Sequence, residues 1–142
     1  MSRWTHIAGA LIVETFEEIP VESANAYFSD KLLNAPKVTG SERDADLFLN
    51  VVPGYNGCTW NEDGTKVEFQ SKAVLTLAGS LRDRDQGTVI EELTKFANYI
   101  ANDLGWMIEE NEFTINDEGL QNTININLLD LVEEKKDEEI WI

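Results

Sequence analysis

The sequence predicts an α+β domain, an antiparallel sheet with two helices on one face. Strand-like and helix-like segments alternate in the order β-α-β-β-α-β-β. The second helical segment carries an apolar stripe at helical period. A chain of 142 residues with 42% hydrophobic content can also bury a core without disulfides or metals.

Trp4–Phe16 is rich in β-formers, and its centre, Ile7–Val13, is apolar on both faces, which places it inside a sheet. Ile19-Pro20 opens a helix to about Leu33, with Ala24, Tyr27, Phe28 and Leu32 at helical spacing, and Asn34 and Pro36 stop it. Lys37–Ala45 reads as loop. Leu47–Val52 is a short strand ended by the turn-rich Pro53–Gly57, and Thr59-Trp60 starts another edge. Asn61–Thr65 holds the Asp-Gly hairpin signal.

Lys66–Leu81 is a long strand with Val67, Phe69, Ser71, Ala73, Leu75 and Leu77 on one face; Gly79 marks a bulge near its end. Thr88 and Glu91 have capping-box spacing. The helix after them aligns Ile90, Leu93, Phe96, Ala97, Ile100, Ala101 and Leu104, and Gly105 stops it. Trp106–Ile115 and Leu120–Leu129 are the strands of a final hairpin.

The first six elements have the βαββαβ order of a ferredoxin-like split arrangement, followed by an extra C-terminal strand and an acidic tail. Connectivity alone does not set the strand order. Residues 1–132 form one α+β domain and 133–142 the tail. The sheet face away from the helices must be solvated, paired in a homodimer, or covered by loop and tail.

The composition is strongly acidic: 27 acids against 11 bases, a formal charge of −16. Residues 1–102 carry a balance of −6 and residues 103–142 a balance of −10. Such a field repels nucleic acid and anionic membrane and attracts basic surfaces. The apolar run Ile7–Val13 is too short to span a bilayer and lacks a signal-peptide cleavage pattern. The lone Cys58 excludes an intrachain disulfide, so the expected compartment is the cytoplasm.

Known chemical motifs are missing. One His and one Cys cannot build a structural zinc centre, and neither Asn61–Gly64 nor Asn116–Gly119 matches a calcium loop. There is no phosphate-binding glycine loop and no nucleophile elbow. His6 on a strand and Cys58 after a glycine read better as structural residues than as catalysts. No metal, no cofactor and no enzyme activity are expected, because nothing in the sequence assembles a nucleophile, a base and an orienting group.

Two regions remain as binding candidates. Arg82 and Arg84, beside the second helix's N-terminus, have the charge to hold a phosphate or nucleotide; pairing with Asp83 and Asp85 is the plainer reading. The other candidate is acidic. It comprises Glu109, Glu110, Glu112, Asp117 and Glu118 on the last hairpin, then Glu133, Glu134, Asp137, Glu138, Glu139 and Trp141 in the tail. Trp141, in Ile140-Trp141-Ile142, is an anchor for a partner or a plug on its own sheet.

Trp4-Thr5-His6-Ile7-Ala8-Gly9 and Ala78-Gly79-Ser80-Leu81-Arg82-Asp83-Arg84 resemble segments of small uncharacterised proteins encoded by bacteriophages and prophages. The resemblance covers two short stretches of the first ninety residues and carries over no catalytic residue. It implies a cytoplasmic accessory protein made in an infected bacterium. The expected function is that of a non-enzymatic inhibitor. Its carboxylates would compete for a basic groove on a host defence or nucleic-acid-processing protein, by nucleic-acid mimicry. The alternatives are a sponge for a nucleotide signal using Arg82 and Arg84, and an immunity protein against a toxin. An acidic globular protein whose charge merely aids solubility is the plainest competitor.

Overall fold

The computed structural model describes residues 4–39 and 48–132. Strand β1 (Trp4–Pro20) leads into helix α1 (Val21–Leu32). Strands β2 (Phe48–Trp60) and β3 (Lys66–Arg82) form a hairpin, followed by helix α2 (Gln86–Asn98) with a π-helical turn at Tyr99–Asp103. Strands β4 (Met107–Asp117) and β5 (Asn122–Ile126) form a second hairpin, and a 3₁₀ turn follows at Leu128–Leu131. The five strands stand in the order β2-β3-β1-β4-β5, and every neighbouring pair is antiparallel.

Alternation along β1 decides which face is core. Thr5, Ile7, Leu11 and Val13 are buried, whereas His6, Ala8, Ala10 and Ile12 are not. The same alternation continues through Ala73, Leu75 and Leu77 of β3 and Phe113 and Ile115 of β4. Both helices lie on this face, α1 through Ala24, Phe28 and Leu32 and α2 through Val89, Leu93, Phe96 and Ala97. Trp106 closes one end, its ring 5.4 Å from Phe28 in an edge-on contact. Gly9 of β1 lies opposite Phe113 of β4, and the Phe113 ring occupies the space a Cβ on Gly9 would need.

Several local expectations are corrected. β1 does not end at Phe16. After Glu14, paired with Lys72, the chain makes an excursion and re-pairs at Ile19 with Gln70. Thr15 holds the excursion, its hydroxyl donating to the Ser71 carbonyl at 3.1 Å. Phe16 stands there at φ 63, two-thirds exposed. Pro20 is the N-cap of α1 rather than part of its first turn.

β2 is one strand through Pro53 and Gly57, paired with β3 from Phe48 to Trp60. It lies at the sheet edge, where a residue without an N–H is tolerated. Leu47, its expected start, lies outside the described residues. Gly79 marks no bulge, because the β1–β3 register runs unbroken from Trp4–Arg82 to Glu14–Lys72. The bulge is in β4 instead. Leu11 faces Asn111 and Val13 faces Ile108, so Glu109 and Glu110 both stand against Ile12.

The cap of α2 is Asp85, whose carboxylate accepts from the Thr88 amide at 2.7 Å. The helix therefore begins one turn before the Thr88–Glu91 box, and Val89 is fully buried in the core while Ile90 packs at its edge. The Asn61–Thr65 hairpin forms as expected. The Thr65 hydroxyl and amide hold the Asp63 carboxyl below its usual range, and Gly64 takes φ 84.

Asp85→Ala should cost about 1 kcal/mol of unfolding free energy by urea titration, while Thr88→Ala should stay within about 0.5 kcal/mol. Gly9→Ala should cost about 1–3 kcal/mol in the same measurement, because the added methyl must displace the Phe113 ring.

Candidate functional site

Helices cover one face of the sheet, so the even-numbered side chains of β1 lie on the other, together with their partners on β3 and β4. The face is crossed by polar rows set by register. Asn116 donates to the Thr123 hydroxyl at 2.7 Å. In the next row the Thr114 hydroxyl donates to Asn125 at 3.0 Å. Such cross-strand pairs contribute roughly 0.2–1 kcal/mol each.

Where β4 bulges, the rows give way to a depression of about 360 Å³. Ala10, Ile12 and Val74 supply apolar surface, and Glu110 and Glu112 stand at its rim. Both glutamates are exposed. The bulge is what brings Glu110 to the rim, since it places two β4 residues against one of β1.

The structure separates the acids that the sequence groups together. Glu109 is part-buried and ion-paired with Lys72, Nζ standing 2.9 Å from Oε1 and 3.0 Å from Oε2. Asp117 is fully buried, and its Oδ1 accepts from the amides of Gly119 and Leu120. It therefore shapes the β4–β5 turn and presents no charge to a partner, a correction to its expected place in the acidic surface. Glu110, Glu112 and Glu118 are exposed. Glu133, Glu134, Asp137, Glu138, Glu139 and Trp141 lie outside the described residues.

The Arg82–Arg84 candidate is also tied into the fold. Arg84 Nε donates to the Thr39 carbonyl at 2.9 Å, and its own carbonyl accepts from the Thr5 hydroxyl. Arg82 Nε lies 3.6 Å from the Asp83 carboxylate. At the start of α2 the Asp85 carboxylate already takes the position of a bound anion.

His6 is where the sequence reading missed a constellation. Directly across the ladder, Ser80 Oγ is 2.6 Å from His6 Nδ1. The other ring nitrogen, Nε2, is 2.5 Å from Glu118 Oε1. Ser80 and Glu118 are 74 and 112 positions from His6 along the chain, so no local motif announces them; the β1–β3 register sets Ser80 opposite His6, and the turn after β4 brings Glu118 diagonally to it. Among the described residues no group of three or more His, Cys, Asp and Glu side chains is placed to hold a metal ion, and no helix is long and apolar enough to cross a membrane.

A second depression, about 640 Å³, lies along α1 and is bordered by Glu17, Glu18, Tyr27 and Asp30. The Tyr27 hydroxyl donates to Glu17 Oε2 at 2.7 Å. Burial, then the hydrogen bond and charge of Glu17, push the Tyr27 phenol from 10.0 up to about 12. Folding thus favours the neutral phenol. Its contribution is complete below pH 10 and is lost as pH climbs through about 12. The tyrosinate absorbance of Tyr27 is expected near pH 12 in a spectrophotometric titration, and Glu17→Gln should move it to lower pH.

Comparison with known protein families, with curated proteins and with solved structures finds no match for this chain.

Proposed function

We propose that this protein is an acidic binding protein of the phage-inhibitor type. It receives a basic surface of a host defence or nucleic-acid-processing protein on its open sheet face and acts by occupying that surface. The observation that carries the reading is the depression at the β4 bulge, apolar within and rimmed by Glu110 and Glu112. A lysine or arginine of a partner fits this chemistry: its aliphatic stem lies on Ala10, Ile12 and Val74 while its charged head meets the two carboxylates. The overall charge of −16 adds long-range attraction for a cationic partner.

Exposed ion pairs contribute only about 0.2–1 kcal/mol each. Affinity on this reading comes from several such contacts together and falls as salt rises. Nucleic-acid mimicry is the form of the idea in which the partner's basic groove normally holds phosphates. Immunity against a toxin would use the same physics, and the identity of the captured protein separates the two. The fold relationship we favour is ferredoxin-like with an added edge strand; the element order and the position of β1 between β3 and β4 support it.

The test is affinity capture from bacterial lysate at about 50 mM and about 200 mM salt. The bait is wild type or Glu110→Lys/Glu112→Lys, with circular dichroism as the check on folding. A protein retained at low salt, released at the higher salt and lost with the double variant is the expected result. Retention indifferent to both salt and charge reversal would remove the reading.

A further inference from the structure

We propose that Ser80, His6 and Glu118 form a reactive serine centre on the open sheet face, able to take an acyl group from a small carboxylic ester. The inference goes beyond binding and uses none of the residues at the β4 bulge.

Protonation follows from the partners. An ionised carboxylate only accepts hydrogen bonds, so the Glu118 contact at 2.5 Å keeps the proton of the neutral imidazole on Nε2. Nδ1 is then left with its lone pair, and Ser80, 2.6 Å away, donates its hydroxyl proton to it. Serine, base and orienting carboxylate thus stand in the relation that activates a hydroxyl nucleophile.

The backbone holds all three. His6 and Ser80 are direct ladder partners, and the Glu118 amide donates to the Trp4 carbonyl at 3.0 Å, carrying β1–β4 pairing one residue past the end of β4. The neighbouring rows leave space. Ala8 and Ala78, paired beside His6 and Ser80, are exposed and offer only methyl groups. On the other side Arg82 lies two residues from Ser80 on the same face, opposite Trp4.

In the proposed step Ser80 Oγ attacks the ester carbonyl carbon, forming a C–O bond, and its proton passes to His6 Nδ1. The tetrahedral adduct collapses, the bond to the leaving alkoxide breaks, and that oxygen takes the proton from Nδ1. Water then attacks the acyl-serine by the same route, releasing the carboxylic acid and restoring Ser80.

The test treats the full chain with a small alkyl fluorophosphonate and with p-nitrophenyl acetate, then maps adducts by peptide mass spectrometry. A fluorophosphonate adduct on Ser80 is expected. The labelling rate should fall on the order of 100-fold in His6→Gln, and the Ser80 adduct should be lost in Ser80→Ala. Glu118, a positioning residue, is read through rescue: Ser80 labelling should fall in Glu118→Ala and return in Glu118→Gln, whose amide oxygen still accepts from His6 Nε2; a purely structural role would not follow that acceptor. No adduct on Ser80 of the wild-type chain, or equal labelling of Ser80 in His6→Gln, overturns the proposal. The wild-type result decides even if a variant fails to fold.

Discussion

Burial on one side of a sheet is the constraint from which the rest of this structure follows. β1 is the central strand, and its odd-numbered side chains, among them Ile7, Leu11 and Val13, are enclosed by two helices. Period-two alternation then sends His6, Ala8, Ala10 and Ile12 the other way. A slip of one residue would exchange the two sets and cover His6 with helix. The Gly9–Phe113 contact acts against such a slip, since the ring fits only over a residue without a side chain.

Once that register is set, the open face acquires its chemistry from the strands and the β4–β5 turn. Residues distant in sequence become neighbours by strand pairing, as Ser80 and His6 do, and the turn after β4 adds Glu118. The β4 bulge adds the second ingredient. It admits two glutamates where one residue would fit. Glu109 is neutralised by Lys72, while Glu110 is left at the rim of an apolar depression. Acidity on this protein is therefore divided by geometry. Asp117 and Asp85 satisfy backbone amides, Glu109 satisfies a lysine, and Glu110 and Glu112 face solvent.

Much of the fold was readable in the chain. The order of elements, the apolar centre of β1 and the alternation along β3 all follow from local patterns, because hydrophobic period reflects which face is buried. The errors have separate local causes. Pro53 and Gly57 look like a turn, yet β2 passes straight through them, because an edge strand needs ladder bonds on one side only. Thr88 and Glu91 have the spacing of a cap, yet Asp85 reaches the amides first. Gly79 looks like a bulge, and the actual bulge lies at Glu109 and Glu110, where the sequence carries no glycine signal.

Composition and periodicity were enough to establish an acidic α+β chain with helices against one side of a sheet, since burial and net charge depend on residue types and short-range spacing. Which acids remain available, and which residues meet in a row, depend on strand order and register. Those are long-range pairings between segments more than a hundred positions apart, as in Thr5 opposite Asp117, and nothing local in the chain encodes them. Asp117 and Glu118, adjacent in sequence, show the difference: one carboxylate is sealed inside a turn and the other reaches His6 on the open face.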